Sequence, residues 1–157
     1  MQQVERAVAT GGPIRKTRKH TFHGGAHDIA AMRAALDLKI HVEDGKAVVT
    51  VTNVGAAHGV PGEINNRLIV LEVSLLAKNA ETGEEEELSA HREYFQPPRR
   101  FMRDKVPSTQ IMPGEPRVLK YKLPAPHGRI EAAMKFKLEF EEPDATFQEL
   151  KAAELEY

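Results

Sequence analysis

The chain has no cysteine and no tryptophan among its 157 residues. Without cysteine there is no disulfide, no thiolate zinc site, no cysteine nucleophile and no C-x-x-C-H motif to attach a haem covalently within this chain. Net charge is also nearly absent, because 22 Lys+Arg stand against 23 Asp+Glu for a formal charge of -1. No global field therefore draws the chain toward nucleic acid or membrane headgroups. Apolar runs are short: none exceeds the stretch Leu68, Ile69, Val70, Leu71, which cannot span a bilayer. The first residues hold no apolar stretch between a basic head and a small-residue cleavage site, so no export signal is expected. G-x-S-x-G, Walker, G-x-G-x-x-G and H-E-x-x-H motifs are missing as well. The one carboxylate run, Glu84, Glu85, Glu86 and Glu87, has the look of a solvated hairpin tip. The expectation is a chain that is not an enzyme.

What is present is patterning for a folded core. A chain of this length buries about 68–70% of the surface its unfolded form exposes, enough to fold without cross-links. Residues 1–25 are polar, with Gly11-Gly12-Pro13 followed by a basic stretch from Arg15 to Lys19, and read as an arm or linker. Ile29, Met32 and Leu36 then recur at helical spacing behind Asp28, which predicts a short helix. From Leu36 the period drops to two, and Asp44-Gly45 divides two alternating runs, a hairpin signature. Strands are expected over 36–42, 46–53, 68–77, 88–95, 117–123 and 132–140. In the last of these Met134, Phe136, Leu138 and Phe140 face inward, and Lys135 and Lys137 face solvent. Beyond Pro143, Thr146 and Glu149 have capping-box spacing, and Phe147, Leu150 and Ala153 recur every third residue, which predicts a short C-terminal helix.

The fold expected is mainly β, an immunoglobulin-like antiparallel β-sandwich with a short N-terminal and a short C-terminal helix. Its parts are an arm over 1–25, the sandwich with its leading helix over 26–143, and a helix or tail over 144–157.

Histidines carry most of the candidate chemistry. His20, His23 and His27 lie in one glycine-containing loop, close enough for their imidazoles to converge on a metal, or to remain solvated. His58 sits in N-V-G-A-A-H-G-V-P-G, where glycine and proline hold the chain in a tight connection. That arrangement suits either a ligand or a side chain that satisfies loop backbone groups. His41 alternates with inward residues and should face water, and His91 and His127 have no companions. The basic clusters at Arg15 to Lys19 and Arg99 to Arg103 read as solvated loops and not as a nucleic-acid site.

Two motifs go further. His20, Phe22, Gly25 and Asp28 stand in H-x-F-x-G-G-x-x-D; Asn53, Gly55, His58 and Pro61 stand in T-N-x-G-x-x-H-x-x-P, with Arg67 just before a long apolar strand. This order resembles the region that follows the haem motifs in some multihaem c-type cytochromes. Val60-Pro61-Gly62-Glu63 departs from the x-P-T-G of that region. The resemblance implies a C-terminal immunoglobulin-like module of an electron-transfer protein, located in the periplasm or outside the cell. It also implies haem c carried by another segment or cytochrome subunit, with His20 and His58 as candidate axial ligands. The alternative is a stand-alone metal-binding protein of the periplasm or cell surface, using His20, His23 and His27.

Overall fold

The computed structural model describes residues 3–7, 11–18, 29–62, 67–79, 82–98, 106–137 and 147–157. Its elements are β1 (Gln3–Ala7), β2 (Ile14–Arg18), α1 (Ile29–Ala35), β3 (Leu36–Glu43), β4 (Lys46–Asn53), β5 (Leu68–Lys78), β6 (Glu85–Phe95), β7 (Pro116–Lys122), β8 (Arg129–Lys137) and β9 (Gln148–Glu156). The period-two segments pair as their alternation predicts. β3 and β4 meet antiparallel around Asp44 and Gly45, whose φ angles of 49° and 68° supply the left-handed pair that a tight hairpin turn requires.

Two antiparallel sheets result, one three-stranded in the order β3-β4-β7 and one four-stranded in the order β6-β5-β8-β9. The chain crosses between sheets after β4, after β6 and after β7, which is Greek-key connectivity. Inward residues of both sheets form one core: Val49 and Val51 from β4 meet Leu71 and Leu75 from β5 and Ile130 and Met134 from β8, all at 0% exposure. Each such side chain contributes roughly 1.5–3 kcal/mol of burial. β5 is the central strand, and its outer face carries Glu72, paired with Arg92 of β6 at 2.7 Å and with Lys135 of β8. Among the described residues no helix is long and apolar enough to cross a membrane.

Three expectations are corrected. The C-terminal segment is not a helix: 148–156 is strand β9, paired antiparallel to β8. The reason is a register shift. Met134 faces Lys151 and Lys135 faces Glu149, so Leu150 is an extra residue in a bulge, and its buried side chain falls out of step with Ala153 and Leu155. That slip turns a strand's period of two into an apparent period of three. The N-terminal arm, secondly, contains a hairpin, β1 with β2, which forms its own two-stranded sheet. Its strands pair antiparallel on either side of the Gly11-Gly12-Pro13 turn, and Ile14 is 75% exposed. Lys137, thirdly, is buried on the outer face, with its ammonium 4.7 Å from the ring centre of Phe147. Leu138, Phe140 and Thr146 lie outside the described residues.

Candidate functional site

The loop that carries His58 leaves the end of β4 and is fastened at four points. Val54 and Gly55 donate their N–H groups to Ala35 O at 2.8 and 3.2 Å, which ties the loop to the last turn of α1. At Gly55 a side chain would come within 2.9 Å of Ala35 Cα, so glycine is required there for the close approach. Val60 and Ile111 exchange two backbone hydrogen bonds of 3.1 and 3.0 Å. Beneath the loop Asn53, at 1% exposure, donates Nδ2 to His58 O at 2.8 Å and to Ile111 O at 3.2 Å, and its Oδ1 accepts from Ala56 N at 2.9 Å. Gln110, also buried, donates Nε2 to Gly62 O at 2.9 Å. The loop's conformation is thus set by two buried amides whose Nδ2 and Nε2 groups donate to backbone carbonyls, while Gln110 Oε1 accepts from the Ser108 hydroxyl at 2.9 Å.

The His58 ring itself is exposed, and its Nδ1 lies 2.9 Å from Gly59 O. A carbonyl oxygen only accepts, so Nδ1 must be the protonated nitrogen. In the neutral ring this leaves the lone pair of Nε2 directed away from the loop, the tautomer that a metal-ligating imidazole needs. Beside it a pocket of about 250 Å³ is lined by Ala31, Met32 and Ala35 of α1, by Gly55, Ala56, Val60 and Pro61 of the loop, and by Arg67. This lies below the roughly 300–1,000 Å³ that encloses a whole small ligand.

Arg67 is a charged residue of that lining. Its Nη1 donates to Pro61 O at 3.3 Å, its Nε is buried without a hydrogen-bond partner, and burial alone lowers its pKa from the ordinary value. It remains a cation nonetheless, since guanidinium does not lose its proton in proteins.

Of the other sequence candidates, His20, His23 and His27 lie outside the described residues, as do Arg99, Arg100 and Arg103. Among the described residues no three His, Asp or Glu side chains converge as a metal site would require. His41 and His127 are exposed, and His91 stacks on Tyr121 with ring centres 4.3 Å apart. Glu84 lies in the turn before β6, and Glu85 pairs with Arg129 at 2.6 Å. Sequence reasoning left His58 open between a ligand and a side chain that satisfies loop backbone, and the bond from Nδ1 to Gly59 O is of the second kind. That reasoning gave no role to Asn53 or Gln110, although the Thr52-Asn53 pair at a strand end was a signal for the former.

No known protein family matches the chain, and no curated protein does. Among solved structures the chain is similar to a penta-haem cytochrome c552 from Thermochromatium tepidum, with a TM-score of 0.62 and 16% identity over 85% of this chain and 42% of that one. It thus spans less than half of that cytochrome's length, and what the two share is a fold.

Proposed function

We propose that this chain is a non-catalytic β-sandwich module of a multihaem c-type cytochrome, and that it docks on a haem-bearing segment or subunit and presents His58 as an axial ligand. The observation that carries this reading is the His58 ring: Nδ1 bonded to Gly59 O, Nε2 without a partner among the described residues, and the exposed residue lining the pocket that Arg67 also lines. The donor set fits haem. Imidazole is a common axial ligand, the half-buried Ala31, Met32 and Ala56 offer apolar contact to a porphyrin edge, and Arg67 offers a positive charge at its rim. A haem so held exchanges single electrons. The chain's own contribution is to fix the imidazole's direction and tautomer and to keep water from one side of the group. With no cysteine, the chain supplies no thioether attachment, so the haem belongs to another segment or subunit.

The similarity in fold to part of a penta-haem cytochrome supports this role in electron transfer, and the seven-stranded Greek-key sandwich supports the immunoglobulin-like class. A module of this kind belongs in the periplasm or outside the cell. His20 is the second candidate ligand, on the sequence motif alone.

The test uses a soluble haem c peptide whose iron has one histidine ligand and one open axial position. Added to the chain, its absorption and electron paramagnetic resonance spectra should change to those of a low-spin bis-histidine haem. His58→Ala should abolish that change and leave stability within about 0.5 kcal/mol, as for a surface side chain. An unchanged response in His58→Ala, lost instead in His20→Ala, would move the ligand role to His20. Stoichiometric bound metal in the purified chain would favour the stand-alone metal-binding reading.

A further inference from the structure

We infer that Arg67 anchors a carboxylate of the group that His58 ligates, which for a haem is a propionate; the inference rests on the haem reading above. Among the described residues that line the pocket between α1 and the His58 loop, none carries a negative charge to oppose Arg67. Arg67 is half-buried there, packed so closely on the loop that its Nη1 would lie 2.8 Å from a side chain placed at Gly62. One N–H, at Nη1, meets a carbonyl, that of Pro61. The other N–H groups have no acceptor among the described residues, and Nε is buried in that state. Desolvation is the cause acting on the guanidinium, and no carboxylate among the described residues pairs with it.

A cation withdrawn from water without a counter-charge is unfavourable, and a carboxylate is the partner whose geometry matches two parallel guanidinium N–H groups. The three features together specify a ligand class. An apolar lining asks for a flat hydrocarbon body, a free imidazole nitrogen for a Lewis acid, and an unpaired guanidinium for an anionic substituent on that body's edge. An iron porphyrin carboxylate combines all three. A neutral ring system or a bare metal ion leaves the arginine uncompensated.

The experiment compares the same haem c peptide as the free acid and as its propionate diester, titrated into the wild-type chain, Arg67→Met, Arg67→Lys and His58→Ala, each first checked for native circular dichroism. Wild type should bind the free acid about tenfold more tightly than the diester, the scale of one charge-assisted hydrogen bond. Arg67→Met should lose that preference and bind both forms as wild type binds the diester, and Arg67→Lys should keep part of it. Equal affinity of wild type for free acid and diester overturns the inference, and because this arm needs no variant it holds even where Arg67→Met folds poorly. A parallel loss of both forms in Arg67→Met also overturns it, since that marks a structural role. Were the wild-type chain to give no low-spin species with either form, the haem reading would fail and this inference with it. The other two failures leave the ligand role of His58 standing.

Discussion

Asn53, at 1% exposure, satisfies His58 O and Ala56 N of the loop and also Ile111 O, so its removal leaves the first two without that partner, while Ile111 O keeps the N–H of Val60. An unsatisfied buried polar group costs about 1–3 kcal/mol. Asn53→Ala should therefore cost on the order of 3 kcal/mol in urea unfolding, and an effect below 0.5 kcal/mol, the surface range, would mean that the loop holds its shape without the amide. The site was legible in the sequence where its signals are local: glycine, histidine and proline in one short loop mark a constrained imidazole. Gln110 was not, because its bond reaches Gly62 O across 48 residues of chain; Asn53 was legible only in part, since its bonds to His58 O and Ala56 N are local and the one to Ile111 O spans 58 residues. Tyr121 shows a similar dependence on tertiary packing. Its hydroxyl is buried without a partner, and burial, then the negative charge of Glu93, pushes its pKa from 10.0 up to about 12. The folded state holds this proton more tightly than the unfolded chain, whose tyrosines ionise near about 10. The stability linked to it is therefore full below pH 10 and is lost as pH rises toward 12. Tyr121→Phe should keep the stack on His91 and stay within about 1 kcal/mol of wild type at neutral pH. It should also flatten, though not abolish, the alkaline loss of stability, because burial raises Tyr157 as well. A Tyr121→Phe protein that loses stability as steeply in alkali as wild type would remove the tyrosine from that account.

Strands β3 to β8 could be read from alternation because each has one face toward the core and a turn residue at its end. β9 could not, since its bulge at Leu150 and its alanines and glutamates imitate a helix, and pairing with β8 overrides that local preference. Alternation also failed at the end of β8. Phe136 is inward at 1% exposure, as its period predicts, but Lys137 on the opposite face is at 5%, covered where Phe147 enters β9. A lysine whose stem is packed and whose ammonium meets an aromatic face contributes through both. Phe136→Ala should cost about 3–5 kcal/mol. Lys137→Ala should cost about 1–2 kcal/mol, and Lys137→Met should recover the packing share of that loss. Chemical denaturation of the three variants decides the matter: a neutral Lys137→Ala would return this residue to the solvent face that simple alternation assigns.

At the scale of the whole molecule the two sheets share one core, so they should unfold together. Leu36 at the start of β3, Phe136 in β8 and Leu150 in β9 belong to the same buried cluster, and neither sheet can cover its apolar face without the other. The hairpin of β1 and β2 forms its own two-stranded sheet, and Ile14 in it is 75% exposed. A two-stranded ribbon is at best marginally stable alone. These facts predict opposite outcomes for the two ends of the chain. Removal of residues 1–18 should leave a single cooperative urea transition with stability within about 1 kcal/mol of the full chain. Removal of residues 148–157 takes away Leu150 and the partly buried Leu155 and Tyr157 and leaves β8 as an unpaired edge. That truncation should abolish the cooperative transition, because Ile130, Met134 and Phe136 lose their cover on one side at once. A large loss on removing the first eighteen residues, or a cooperative fold surviving without β9, would mean that the unit of folding is drawn in the wrong place.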